Sequence, residues 1–301
     1  MNVKDIKFLI VGCAKCGTSS LYEYICEHPE VQAASVKEPG YFVKDSLLKQ
    51  NGYQEIDTWE KYLNCFPQTP LGTFTGEASV SYFNYLEESI PSIKKRLGKR
   101  TKIIIILKNP IERLISGYNY AARTGVESRT LEEVLRDWDG KTSIIDSVTN
   151  RPCYIANGLY SERVKMFFEE FDDVKVVTLE DLVKKPAKVM NEIFRFLGVA
   201  EFTLSDKYSV HNKGGFSPKD PRLTNIIFNK NYLVKFIRKR MPYNGKVRKA
   251  SRKLRTFTER FLMKKSVYIE TVQLNETLNN FYLSDIEQLE NFLDIDLTDW
   301  R

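Results

Sequence analysis

Residues 6–20, IKFLIVGCAKCGTSS, decide the fold that this sequence predicts. The apolar run 6–11 has the length and composition of a buried parallel strand. Residues 18–27 fit a helix that ends before the His-Pro pair at 28–29. Between the two lies a short turn with glycines at positions 12 and 17. A strand, a glycine-rich turn and a helix in this order open a βαβ unit and indicate a parallel α/β sheet.

Strands and helices continue to alternate along the chain. The predicted strands cover 6–11, 31–35, 73–77, 102–107 and 174–179. The predicted helices cover 18–27, 58–66, 85–97, 110–123, 131–138, 160–171, 186–197 and 283–293. This alternation predicts a three-layer α/β sandwich in which helices cover both faces of a central parallel sheet. Because we find no internal repeat and no low-complexity linker, we expect a single domain over 1–301.

The composition excludes several classes of protein. With 301 residues, 42% hydrophobic and 12% aromatic, the chain is not wholly disordered. The longest apolar run, 103–107, is too short to cross a membrane, and the first residues lack the pattern of a secretion signal. Five cysteines and two histidines favour neither a disulfide scaffold nor a zinc site. We therefore expect a cytoplasmic protein that needs no metal.

Positive charge is concentrated in one segment. The chain has a net charge of +7, and residues 230–265 contain 14 Lys and Arg against the single acid Glu259. Apolar residues between these charges predict helices with one apolar face. The segment either contacts an anionic partner, such as an acidic glycan or a membrane surface, or forms a solvated helical insert. We expect no nucleic acid partner.

The turn at residues 12–20, here called the first loop, carries groups that bind a phosphate. Gly17 allows close approach of the backbone, and Lys15 supplies positive charge. The first helical turn adds the hydroxyl groups of Thr18, Ser19 and Ser20. Two alternatives are an ordinary tight βα turn and, because Cys13 and Cys16 form a CxxC motif, a redox site.

The first loop differs from a nucleoside-triphosphate loop, GxxxxGK[ST]. Thr18 occupies the place of the lysine that follows the second glycine there. The strand 102–107 is followed by Lys108 and Asn109 and not by a magnesium-binding aspartate. The pattern argues against a kinase or ATPase and favours a nucleotide whose reacting group is already labile.

Several motifs in a fixed order resemble the sulfotransferase family, most closely its glycan-type branch of bacterial carbohydrate and heparan sulfate enzymes. They are GCAKCGTSSLYEYICEHPEV from residue 12, KEPGYF from 37, GEASVSYF from 76, LKNPIERLISGYNY from 107, GLYSERVKMFFEEF from 158, EDLVKKPAKVMNEIFRFLGV from 180 and NKGGFSP from 212. The resemblance implies a P-loop NTPase-like fold. It also implies transfer of a sulfuryl group from 3′-phosphoadenosine 5′-phosphosulfate (PAPS) to a carbohydrate hydroxyl or amine, by in-line displacement and without a metal.

The resemblance also implies nucleotide-binding residues. The first loop matches the family's 5′-phosphosulfate site with Lys15, Cys16, Gly17, Thr18, Ser19 and Ser20. The segment after the central strand matches the 3′-phosphate site with Lys108, Ser116 and Arg113, of which Arg113 either assists or is structural. A loop that closes over the nucleotide is expected at Lys213, Gly214 and Gly215, and Tyr208 either stacks on the adenine or is an ordinary loop residue.

Two residues are predicted to act in the reaction itself. Lys15 is expected to stabilise charge that grows on the bridging oxygen. Glu38 aligns with the general base of the heparan sulfate branch, and a base is needed because the acceptor hydroxyl must lose its proton. The alternative for Glu38 is a structural ion pair with Lys37 or Lys15. His28 precedes a proline at a helix end, where a structural role is expected.

The chain departs from the heparan sulfate enzymes at several positions. Lys108 stands where arginine is frequent, and Ala78 stands where those enzymes have a lysine. The lid reads KGG instead of KGR. Glu77, just before Ala78, either lines the acceptor cleft or caps the next segment. These departures leave the identity of the acceptor undecided. The alternative functions are a kinase-like enzyme or a non-catalytic module that binds anionic glycans or membranes.

Overall fold

A computed structural model describes residues 6–51, 54–66, 73–123, 126–138, 153–204, 216–218, 263–265 and 272–301. Four of the predicted nucleotide-binding residues lie outside these ranges: Tyr208, Lys213, Gly214 and Gly215. The basic segment 230–265 also lies outside them, apart from its last three residues. The roles assigned to these residues stay predictions.

The described residues form seven strands and ten α-helices. The strands are β1 (Ile6–Gly12), β2 (Val31–Ala33), β3 (Phe74–Ala78), β4 (Lys102–Leu107), β5 (Val174–Thr178), β6 (Phe216–Pro218) and β7 (Met263–Lys265). The helices are α1 (Thr18–Cys26), α2 (Lys44–Asn51), α3 (Trp59–Leu63), α4 (Leu86–Leu97), α5 (Pro110–Arg123), α6 (Leu131–Arg136), α7 (Ser161–Glu170), α8 (Leu179–Lys184), α9 (Pro186–Leu197) and α10 (Val272–Leu293).

Five strands form one parallel sheet in the order β2-β3-β1-β4-β5. The last five residues of β4 are buried, as expected for a strand with helices on both faces. The chain leaves β1 toward β2 and leaves β4 toward β5, on opposite sides of the sheet. The carboxyl ends of β1 and β4 therefore flank a topological switch point, where α/β sheets bind their ligands.

The chain divides into two compact units. The first comprises Met1–Arg113, Thr142–His211 and Thr277–Arg301 and contains the whole parallel sheet. The second comprises Leu114–Lys141 and Asn212–Glu276 and contains α6 and the antiparallel pair β6–β7. A single domain over 1–301 stays a prediction.

The five strands of the sheet lie where the sequence predicts them, within two residues at each end. The last helix was predicted too short, because α10 begins at Val272 and not at 283. Its buried residues Leu278, Tyr282, Ile286 and Leu289 repeat at helical spacing, so the buried face of the helix already begins five residues before the predicted start. The strands β6 and β7 and the helices α2 and α8 were not predicted.

Substitution in the central strand tests how far the sheet core stabilises the fold. Ile104 is fully buried in β4, whereas Val183 is 58% exposed on α8. We expect Ile104→Ala to lower the free energy of unfolding by about 2–5 kcal/mol, because it removes packed atoms and leaves a cavity. Val183→Ala should change it by less than about 0.5 kcal/mol. Urea unfolding followed by circular dichroism measures both, and equal losses would contradict the assignment of β4 to the core.

Candidate functional site

The first loop is attached directly to the sheet. β1 ends at Gly12, and the next amide, that of Cys13, donates to the carbonyl of Ile106 in β4 at 2.8 Å. The amide of Cys16 donates back to the carbonyl of Cys13 at 3.2 Å, which closes the turn. The loop therefore begins at the switch point between β1 and β4, with its position fixed by backbone hydrogen bonds.

The end of the loop becomes the N-terminus of α1. Lys15 has a φ of 71° and Gly17 a φ of 92°, so the backbone turns twice through the left-handed region before the helix starts at Thr18. The first helical hydrogen bond runs from the Leu21 amide to the Gly17 carbonyl at 3.0 Å. The amide groups that precede Leu21 in the first turn face the loop, and together with the helix dipole they favour an anion.

Gly17 is required here by its conformation and by its surroundings. A Cβ atom added to Gly17 would lie 2.7 Å from Leu179 Cδ1 and 3.7 Å from Ile106 Cδ1. Leu179 is the first residue of α8, directly after β5. The glycine thus lets the loop pack closely against a residue of β4 and against the first residue after the neighbouring strand β5.

Behind the first loop lie buried polar side chains. The thiols of Cys13 and Cys16 are free and fully buried, and Cys16 Sγ lies 3.9 Å from the hydroxyl of Tyr160. A hydrogen bond from Cys16 lowers the pKa of Cys13 to about 7, against the opposing effect of burial, while burial raises the pKa of Cys16. Because the Cys16 thiol points into the core, the predicted contact of this residue with the nucleotide concerns its backbone.

Arg113 and Lys108 follow β4 and differ in environment. Arg113 is only 3% exposed, and its Nη2 donates to the carbonyl of Tyr154, so the structural alternative accounts for its contacts. Lys108 Nζ pairs with Glu112 at 2.7 Å. Ser116 lies half-buried in α5. Nucleotide contacts of these residues stay predictions.

Glu38 lies on a separate loop, residues 37–40, here called the Glu38 loop. The residue is exposed and has a φ of 53°, and Gly40 follows with a φ of 62°. Lys37 Nζ donates to the hydroxyl of Ser19, so a side chain joins this loop to the first turn of α1. Partial desolvation raises the pKa of Glu38, although the charges of Lys37 and Lys15 oppose the shift. The structure thus brings the predicted base close to the predicted cation.

Glu77 was predicted either to line the acceptor cleft or to cap the next segment, and the structure buries it against that next segment. It is 1% exposed at the end of β3, so it does not line a cleft. Its carboxyl accepts hydrogen bonds from Tyr82 Oη at 2.6 Å, Ser79 Oγ at 2.7 Å and Tyr62 Oη at 3.3 Å. Burial raises the pKa of Glu77 to about 7, and the three hydroxyl groups oppose this effect.

His28 has a structural role, as predicted. It is 2% exposed, and its Nδ1 accepts from the amide of Glu30 at 3.1 Å. Since Nδ1 accepts, Nε2 carries the hydrogen and donates to the carbonyl of Ala200 at 2.9 Å. Both ring nitrogens are therefore engaged in holding the end of α1 against the segment after α9.

The described residues contain neither a candidate metal site nor a candidate membrane-spanning helix. In them, no group of three or more His, Cys, Asp or Glu side chains is placed to hold a metal ion. Among the helices of these same residues, none combines the length and apolar character required to cross a membrane.

One protein family matches most of this chain. Its sequence profile, described as "Sulfotransferase domain", aligns with residues 5–214. The chain belongs to the sulfotransferase family. The match includes the first loop, the Glu38 loop, Glu77 and the segment after β4, which are the parts of the site described above.

Two human relatives act on heparan sulfate according to their names. Heparan sulfate glucosamine 3-O-sulfotransferase 3B1 is 27% identical over 208 residues, which cover 68% of this chain and 49% of the relative. Bifunctional heparan sulfate N-deacetylase/N-sulfotransferase 3 is 28% identical over 219 residues, which cover 70% of this chain and 24% of the relative. The chain thus matches about half the length of the first relative and about a quarter of the second.

A solved sulfotransferase has the same fold. The crystal structure of the sulfotransferase from Alicyclobacillus acidocaldarius superposes with a TM-score of 0.67 at 24% identity, and the alignment covers 98% of both chains. This likeness concerns the fold alone. Together with the five-stranded parallel sheet, it confirms the predicted α/β sulfotransferase fold.

Substitution of Gly17 tests the packing of the first loop. Gly198, at the end of α9, has a similar left-handed conformation with a φ of 83°, but no atom lies within 4 Å of an added Cβ. Gly198→Ala should therefore cost only the backbone strain, about 1–2 kcal/mol. Gly17→Ala should cost about 0.5–1.5 kcal/mol more, because the end of the Leu179 side chain must leave its rotamer to make room for the new methyl group. Urea unfolding of the two variants measures the difference, and equal losses would contradict the packing described here.

Proposed function

We propose that this chain transfers a sulfuryl group from PAPS to a hydroxyl or amine of a carbohydrate acceptor. The observation that carries the proposal is the contact between the first loop and the Glu38 loop. The first loop offers Lys15 and the N-terminus of α1, and the Glu38 loop brings a carboxylate beside it through the contact of Lys37 with Ser19. An anion site with a neighbouring base is what sulfuryl transfer requires.

The first loop fits the phosphosulfate end of the donor. When bound, PAPS supplies a sulfuryl group on a phosphosulfate linkage. The first-turn amides of α1 and the hydroxyl groups of Thr18 and Ser19 hold the 5′ end, because they combine hydrogen-bond donors with the helix dipole. Lys15 stabilises negative charge on the oxygen that leaves. Lys108 is proposed to contact the 3′-phosphate, and 3′-phosphoadenosine 5′-phosphate (PAP) is the expected product.

Glu38 serves as the general base in this proposal. Its carboxylate accepts the proton of the acceptor hydroxyl while the acceptor oxygen attacks sulfur. Desolvation raises the pKa of Glu38 and so makes its carboxylate a better proton acceptor, while the charges of Lys37 and Lys15 oppose this shift. The charge balance around Glu38 thus suits a base that must lose and regain a proton in each turnover.

A carbohydrate acceptor is proposed from the relatives. Both human relatives are named for heparan sulfate, but each alignment covers only part of the relative. The basic segment 230–265 is a further proposed contact for a glycan, glycolipid or membrane surface, and a cytoplasmic location stays a prediction. Ser20, Ser116, Tyr208 and the lid residues keep the nucleotide roles that the sequence predicts.

Binding of PAP tests the first loop. We expect Lys15→Ala to weaken PAP binding about 10- to 100-fold, because a hydrogen bond to a charged group is worth about 1.5–3 kcal/mol. Lys188→Ala, which removes a lysine with a 70% exposed side chain on α9, should leave the dissociation constant unchanged. Isothermal titration calorimetry measures both. Equal affinity in the wild type and Lys15→Ala, or magnesium-dependent ATP turnover by the wild type, would contradict the proposal.

The pH profile tests the base. We expect Glu38→Gln to lower kcat by about 100-fold or more, the contribution typical of a general base. In the wild type, the rate should rise with pH as the carboxyl ionises, with a midpoint above that of an ordinary glutamate because the pKa is raised. Glu38→Gln should lack this rise, while Glu87→Gln, at an exposed position on α4, should keep it. An unchanged rate in Glu38→Gln would require another base.

A further inference from the structure

Glu77 carries a buried carboxyl group that has no role in the proposed reaction. It pairs with Leu9 of β1 in the sheet and is 1% exposed. Burial of a carboxyl group costs free energy unless hydrogen bonds compensate it. Here three hydroxyl groups do so, from Tyr62, Ser79 and Tyr82. Tyr62, Ser79 and Tyr82 in turn contact other residues, and these contacts indicate which part of the chain the carboxyl group of Glu77 holds in place.

The first connection runs through Ser79 to the Glu38 loop. The amide of Gly40 donates to Ser79 Oγ at 3.1 Å, and Ser79 Oγ lies 2.7 Å from Glu77 Oε2. Because the serine oxygen accepts from Gly40, its own hydrogen points to Glu77. The carboxyl group thus fixes the direction of the hydroxyl group, and the hydroxyl group fixes the backbone two residues after Glu38.

The second connection runs through the two tyrosines. The ring of Tyr62 stacks on Tyr41 with centroids 5.1 Å apart and meets Phe42 edge-on at 5.1 Å. The ring of Tyr82 meets Phe42 edge-on at 5.4 Å. Tyr41 and Phe42 directly follow Gly40 and are buried. The hydroxyl groups of both tyrosines are held by Glu77, so the carboxyl group also orients the rings against which this segment packs.

We propose that Glu77 is a positioning residue that, through Ser79, Tyr62 and Tyr82, holds the Glu38 loop against the first loop. The inference rests on the proposed function in so far as Glu38 is taken as the base. Glu38 has a left-handed φ of 53°, a conformation that a non-glycine residue keeps only when its surroundings impose it. Glu77 touches no reacting group and acts only through the backbone that carries Glu38.

The test compares two buried serines. Ser79→Ala removes the link between Glu77 and Gly40. Ser161→Ala is the matched control, because Ser161 is also buried and donates to a carboxyl group, that of Asp285 at 2.6 Å, which has no part in the network of Glu77. For each full-length variant we would measure kcat and KM with PAPS, the dissociation constant of PAP, and amide hydrogen exchange of the peptide that contains Gly40.

For Ser79→Ala we expect kcat to fall about 10- to 100-fold, since a small misplacement of a catalytic group has effects of this size. PAP affinity should stay within a factor of about two and exchange at Gly40 should become faster, because this hydrogen bond protects that amide and the first loop is untouched. Ser161→Ala should leave kcat and the exchange at Gly40 unchanged. Glu77→Gln should resemble Ser79→Ala, because its amide donates to Ser79 Oγ and turns the hydroxyl hydrogen away.

Three results would overturn the inference. These are equal effects of Ser79→Ala and Ser161→Ala, an unchanged exchange rate at Gly40 in Ser79→Ala, and an unchanged kcat in Ser79→Ala despite faster exchange. A failure of the proposed function is distinguishable, because the wild type would then show neither PAP binding nor transfer. In that case the hydrogen exchange comparison still decides whether Glu77 and Ser79 hold the loop.

Discussion

The attachment of the first loop to β4 is the constraint on which the site depends. One backbone hydrogen bond, from Cys13 to Ile106, fixes where the loop leaves the sheet, and the left-handed conformation of Gly17 fixes how the loop enters α1. The groups that face an anion are therefore mostly backbone amides whose position follows from the strand order. A site built in this way needs little from individual side chains beyond Lys15 and the hydroxyl groups of the first turn.

The carboxyl groups of Glu38 and Glu77 differ in the neighbours that stabilise their charge. Glu38 is exposed between Lys37 and Lys15, whereas Glu77 is buried among hydroxyl groups. Desolvation raises the pKa of both groups; the charges of Lys37 and Lys15 oppose the shift at Glu38, and hydrogen bonds from hydroxyl groups oppose it at Glu77. The first environment suits a group that exchanges protons with an acceptor. The second suits a group that stays in place and orients its neighbours.

Much of the fold follows from local patterns, and much of the site does not. The apolar run KIIIIL predicts a strand, and the glycine spacing in GCAKCGTSS predicts a turn before a helix. Both patterns lie within a few consecutive residues, so they can be recognised in the sequence alone. Helix α2 was not predicted, because its N-terminal cap is not encoded nearby in the sequence. The carboxyl group of Glu88, which lies in α4, accepts from the amides of Asp45 and Ser46 and so caps α2. The burial of Glu77 is equally invisible in the sequence, since its partners Tyr62 and Tyr82 come from different elements.

Under the proposed function, binding of the nucleotide and placement of the base depend on separate parts of the fold. The first group of contacts comes from backbone at the end of β1, and the second comes from a loop held by the end of β3. Under the proposed function, a change in the Glu38 loop therefore alters the position of the base without altering the backbone of the first loop.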